Sequence, residues 1–216
     1  MKLRTGVLTA VVVLCGFRAV ANDAVPVTAD NFVRAESDLY FGSVTKKYGL
    51  GDIKLDRGPT PLDQHTVIRM NRDTLYGAGV FDLDGGPVTI TLPDAGDRFM
   101  SLQIISEDHY VPAVIYKPGS YTFTKDDVGT RYMMTAFRVL IDPNDAEDVT
   151  KVHALQDAIK VKQPGGPGKL EEASQKKVRD ALLMLAETLP DTKGMFGKKG
   201  EVDPVDRVGL RLGRQS

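Results

Sequence analysis

Val88-Thr89-Ile90-Thr91-Leu92 alternates apolar residues with threonine. That period of two is the signature of a strand with one buried face. After the turn Pro93-Asp94-Ala95-Gly96-Asp97 the period resumes, with Met100, Leu102 and Ile104 alternating with Ser101 and Gln103. The stretch Thr130 to Ile141 is apolar on both faces, which predicts a central strand covered on both sides. Asp84-Gly85-Gly86-Pro87 and Lys117-Pro118-Gly119 supply further turns. No helical pattern intervenes, so β-α-β crossovers are excluded. The expectation is a mainly β protein with flanking helices (α+β). Its core, from about 66 to 142, is an antiparallel β-sandwich or jelly roll.

The flanks carry the helical period. Asn31 to Tyr48 predicts a helix with Thr28 and Asp30 as available caps. Its stripe is Phe32, Ala35, Leu39, Tyr40, Val44 and Tyr48, and Gly49 stops it. After Asp142, Pro143 suits a first helical position, acids crowd the first turn, and Lys160 and Lys162 end the segment. Pro164-Gly165-Gly166-Pro167-Gly168 reads as a linker. A last amphipathic helix is expected from about Ser174 to Leu189, giving two C-terminal helices in all.

Met1-Lys2-Leu3-Arg4, the apolar run to Phe17 and Ala19-Val20-Ala21 have the form of a signal peptide cut after Ala21. The run is shorter than the roughly 20 residues a membrane helix needs. A periplasmic or secreted chain is expected, with no membrane span after cleavage. The chain has 216 residues, 42% hydrophobic and 26% charged, an ordinary globular composition. Cleavage removes Lys2, Arg4 and Arg18, taking the formal charge from -1 to -4. A nucleic-acid partner reached through a general basic surface is therefore not expected. Cleavage also removes Cys15, the single cysteine, which suits an oxidising compartment. The expected organisation is a signal peptide over 1–21, a β-rich domain over 22–163, and a linker, helix and tail over 164–216.

Two polar clusters could carry chemistry. In the first, Arg69, Asn71, Arg72, Asp73 and Tyr76 combine anion-clamping guanidiniums with a carboxylate able to orient one of them. The same residues also fit a strand–turn corner in which Asn71 and Asp73 satisfy backbone amides. In the second, Glu107-Asp108-His109-Tyr110, a continuing strand would let Glu107 and His109 converge while Asp108 points away. That cluster reads either as an acid–base group or as a polar strand end. Arg138, inside the most apolar strand, either pairs with a buried acid (Asp82 and Glu107 are candidates) or lines a cavity. His65, His109 and His153 are too scattered to predict a metal site. No P-loop, G-x-G-x-x-G or G-x-S-x-G sequence occurs, and no cofactor is implied.

Five blocks together resemble a known family. They are Asp30–Asp38, Met70-Asn71-Arg72-Asp73-Thr74-Leu75-Tyr76, Leu92-Pro93-Asp94-Ala95-Gly96, Glu107-Asp108-His109-Tyr110 and Val152–Ala158. In that order they resemble the bacterial domain-of-unknown-function family 1254, from about Thr28 to Pro204. The resemblance implies an exported β-rich domain, usually followed by a second β-rich domain. Here Val202-Asp203-Pro204-Val205 lies close to Ser216, so the chain resembles a shortened member. It implies no catalytic residues.

Three functions follow as expectations. One is a binding or structural module that holds a small polar or anionic ligand through the two clusters. Another is an envelope hydrolase using Asp73 or Glu107 with His109. The third is an incomplete member whose second domain comes from a protein partner.

Overall fold

The computed structural model describes residues 26–61, 71–166 and 168. The signal-like segment, Arg69, His65 and the helix expected over 174–189 lie outside the described residues.

Among the described residues, eight strands form two antiparallel sheets with helices at their flanks, a mixed α+β fold with a β-sandwich-like core. The strands are β1 (Lys54–Leu55), β2 (Thr74–Asp82), β3 (Val88–Leu92), β4 (Met100–Ser106), β5 (Ala113–Ile115), β6 (Gly119–Phe123), β7 (Tyr132–Leu140) and β8 (Lys160–Lys162). One sheet has the order β1-β2-β7-β4-β5 and the other β6-β3-β8. Helices α1 (Phe32–Tyr48), α2 (Lys125–Val128) and α3 (Ala146–Ala158) complete the described elements, with a 3-10 turn at Leu83–Gly85.

Alternation builds the core. Leu75 and Phe81 of β2, Met133, Phe137 and Val139 of β7, and Met100, Leu102 and Ile104 of β4 face inward. Val88, Ile90 and Leu92 meet them from the smaller sheet, and all are essentially buried. β7 is the middle strand of five, as its apolar sequence predicts. Its outer face, however, is covered only in part. Phe41 of α1 packs on Val80 and Tyr132 at one end, while Leu140 at the other end is 41% exposed.

Three local expectations are corrected. The buried face of α1 includes Phe32, Ala35, Glu36, Ser37 and Phe41, and Leu39 and Tyr40 point to solvent. The third helix starts at Ala146 instead of Pro143. A turn at Asp142 intervenes, with Asn144 N–H donating to Asp142 Oδ1, and Asp145 then caps by accepting from Glu147 N–H. Lys160-Val161-Lys162 does not end that helix; it pairs with Thr89–Thr91 as β8. The Gly-Pro linker also begins packed: Gln163 Nε2 donates to the carbonyls of Asp82 and Gly86.

Gly79 permits one close crossing. The backbone at Asp52 passes so near that a Cβ on Gly79 would overlap the Asp52 carbonyl oxygen. Gly51 N–H, donating to Val80 O, and the bridge Leu50–Val80 hold the chain there.

Candidate functional site

The five-stranded sheet has a charged cluster at each end. At the first end β4 stops at Ser106. Ser106 N–H donates to Tyr110 O, and His109 N–H donates back to Ser106 O. His109 takes φ 63°, a left-handed conformation that closes the turn. Glu107 is thereby folded inward and buried. Its Oε2 accepts from Tyr132 N–H at 2.8 Å, while its own N–H donates to Thr130 Oγ1 at 3.2 Å. Asp108 turns to Arg34 of α1, accepting from Nε at 3.0 Å and Nη2 at 2.6 Å. Arg34 Nη1 lies 3.8 Å from Glu107 Oε2.

Asp38 follows Arg34 by one helical turn and so shares its face. Burial, then a hydrogen bond with Glu107 and repulsion from its carboxylate, pushes the Asp38 carboxyl up to about 7; Arg34 pulls the other way. An Asp38 carboxyl raised this far keeps its proton until about neutral pH. A bidentate pair flanks them: Arg131 Nε and Nη2 donate to the two oxygens of Asp82 at 3.0 and 2.8 Å. Among the described residues, Asp38 Oδ1 and, beside Asp82, Gln163 Oε1 are buried at this end without a hydrogen-bond partner.

The second end differs. In an antiparallel ladder, directly paired residues point to one face. Tyr76 pairs with Arg138, and Arg138 pairs with Ser101, all on the outer face. Gln103 pairs with Val114 on that face, and Tyr116 lies two positions beyond Val114. Arg138 sits 5.3 Å from the Tyr76 ring centroid, and its Nη2 lies at 3.5 Å from Thr74 Oγ1, the limit of a hydrogen bond. Its Nε is buried with no hydrogen-bond partner among the described residues. Phe99 and Tyr116 pack with ring centroids 6.2 Å apart and remain exposed, as do Val114 and Leu140.

The predicted residues therefore separate. Asn71, Arg72 and Asp73 form an exposed bend before β2, not a strand. Asn71 N–H donates to the Tyr76 hydroxyl, and Asp73 O accepts from Ile141 N–H. Asp73 precedes the start of β2, whereas Glu107 lies beside Tyr132, which pairs with the last residue of β2. A nine-residue strand puts them about 27 Å apart. At that separation the two clusters do not meet on one small ligand, and Asp73 stands out of reach of Glu107 and His109. The expected convergence is also reversed: Asp108 joins Glu107 at Arg34, because a turn replaces the strand, and His109 is exposed. Arg138 pairs with neither Asp82 nor Glu107, since Arg131 and the Tyr132 amide engage those acids. Sequence reasoning missed Arg34 and Asp38 as site residues; their one signal was an opposite-charge pair at i, i+4. Among the described residues no group of three or more His, Cys, Asp or Glu side chains is arranged to hold a metal ion.

A family model described as "Protein of unknown function (DUF1254)" matches residues 53–163, just over half of the chain. The chain belongs to that family. The matched span runs from before β1 through β8 and so takes in both sheets, while Arg34 and Asp38 of α1 precede it. Among solved structures, the VPA0106 protein from Vibrio parahaemolyticus is similar, with a TM-score of 0.60 at 15% identity. The likeness covers 87% of this chain and 66% of that one, so the chain spans just under two thirds of that relative, and at this identity the fold alone is shared. No curated protein matches.

Proposed function

We propose that this family member is an exported binding module whose site is the outer face of the five-stranded sheet around Arg138, and that its ligand is a small anion. The observation that carries this reading is the buried, unpartnered Nε of Arg138. A guanidinium cannot shed its charge, and a buried donor without an acceptor is costly. A carboxylate would satisfy Nε and an Nη together in the fork geometry that arginine favours. Tyr76 borders the site, and Asn71 and Arg72 form its rim, with Arg69 as a further candidate. Glu107 and His109 belong to the opposite end and play a structural part.

Export rests on the N-terminal sequence, with cleavage after Ala21. Among the described residues no helix is long and apolar enough to cross a membrane. The mass of the chain recovered from the envelope fraction tests the cleavage. Binding is tested by thermal shift and calorimetry with small carboxylates, sulfate and phosphate. Arg138→Met should abolish every anion-dependent shift; a shift that survives it places the site elsewhere.

A further inference from the structure

The two sheets leave a gap at one border. β1 ends the five-stranded sheet and β8 ends the three-stranded one. Residues of both strands line one cavity, together with Gln156 and Ile159 from the end of α3. Its volume is about 370 Å³, and it is partly open to solvent. Cavities of roughly 300–1,000 Å³ are the ones that hold small molecules. Leu55, Ile159 and Val161 form an aliphatic wall, each half-buried against the core. The larger share of the lining is polar, with Asp52, Lys54, Arg57 and Gln156 as its side chains.

Both cations of the lining already have a counter-ion. Lys54 Nζ donates to Asp52 Oδ2 at 2.8 Å, and Arg57 Nη2 donates to Asp157 Oδ1. Hydrogen-bonding capacity is left over all the same. Lys54 spends one of an ammonium's three donors on Asp52. Buried Gln156 donates one amide hydrogen to Asp56 O at 3.0 Å and accepts once, from Arg57 Nη1 at 3.2 Å. The Asp52 oxygens accept once each, from Lys54 and from the Ile53 amide. Balanced charge beside unspent donors and acceptors selects against an ion, which would have to part a pair or leave its own charge unmatched. A hydrocarbon would strand the polar groups instead. Hydroxyl groups donate and accept at once, so a polyhydroxyl ligand meets both kinds in any order.

We propose that this cavity is a second ligand site and that it takes a neutral sugar of one or two rings. The hydroxyls engage Asp52, Lys54 and Gln156, and the C–H face of a ring covers Leu55, Ile159 and Val161. The cavity shares no residue with the Arg138 site and does not depend on that reading.

Calorimetric titration of the full-length chain with glucose, maltose and glucuronate tests this. The better of the two neutral sugars should bind with a dissociation constant of about 1 mM or tighter, and glucuronate at least about fivefold more weakly than it. In nuclear magnetic resonance spectra of the labelled chain, that sugar should move the backbone amides of Lys54, Leu55 and Val161 and the side-chain amide of Gln156. Lys54→Met, at an exposed position, should weaken binding at least about threefold with the melting temperature unaltered, and Arg138→Met should leave binding as it was. Absence of binding by both neutral sugars overturns the site. Glucuronate binding as tightly as the neutral sugars overturns the ligand class. Shifts confined to other amides, or undiminished binding by Lys54→Met, overturn the placement, and loss of binding in Arg138→Met overturns its independence.

Discussion

The two ends of the five-stranded sheet are built from the same residue types and solve opposite problems. At the β4 exit, Asp108 is held by Arg34, Asp82 by Arg131, and Glu107 by the Tyr132 amide and Asp38, so most of the charge is internal and the surrounding backbone is fixed by it. At the β2 entrance, Arg138 is charged, half-buried and short of an acceptor. Burial of a charged group therefore does not by itself fix its role. A charged group whose partners lie within the fold holds the fold; one whose partner is lacking is held ready by it.

Deleting an acid at the first end gives the largest expected effect. Glu107→Ala strips the acceptor from the buried Tyr132 amide and from Arg34, and should lower unfolding free energy by about 3 kcal/mol. Urea denaturation at pH 7 reads this directly, and a loss below about 1 kcal/mol would break the contrast. The pH response of the same end comes next. Asp38, held near 7 when folded against about 3.9 when unfolded, keeps a proton in the native state that the unfolded chain has lost. Its contribution is therefore greatest below about pH 4 and declines as pH rises to 7, by of order 1–2 kcal/mol after allowing for solvent screening. Asp148 runs the other way. Hydrogen bonds from Arg98 and from the Asp142 amide lower it to about 2, so its contribution is complete above about pH 4 and lost as pH falls through 2. Thermal melts across pH 2–8 should peak near pH 4, and Asp38→Asn should flatten the alkaline limb.

The opposite end should respond in the opposite sense. Arg138→Met removes a buried donor that nothing accepts from, so stability should stay level or rise by up to about 1 kcal/mol while anion binding is lost. A destabilisation of more than about 1 kcal/mol would make Arg138 another structural charge and erase the difference. The smallest effect belongs to the rim: Arg72→Ala should change stability by less than about 0.5 kcal/mol and weaken the ligand-induced thermal shift.

The sheets were readable from sequence because each strand has one face toward the core and the turns between them carry Gly, Pro and Asp. Val88–Leu92 and Met100–Ile104 appear where the alternation puts them. Short or locally ambiguous elements were not readable. Lys160-Val161-Lys162 is three residues long and resembles the basic last turn of a helix until Ile90 is seen opposite Val161. Leu39 and Tyr40 read as part of a buried stripe because a period drifting over 17 residues fits more than one face, and contact with Val80 and Tyr132 selects Phe41. At the candidate site, Arg138 was legible as an anomaly but its fate was not, since register alone puts Tyr76 and Ser101 at its sides. Nothing local in the sequence singled out Arg34 and Asp38. Their partners are about 70 residues away in the chain, and only the fold brings them together.

The lengths of the outermost strands have a consequence for life at high concentration. β1 has two residues, β5 three and β8 three, too little unpaired backbone to template a neighbouring chain. β6, with five, is the long border among the described strands, and it is bracketed by Pro118 before Gly119 and by the Thr124–Asp127 capping box after Phe123. Both brackets stop an added strand from growing past five residues. A sheet of this kind resists fibril growth through brevity at its borders, with no need for a dense surface charge.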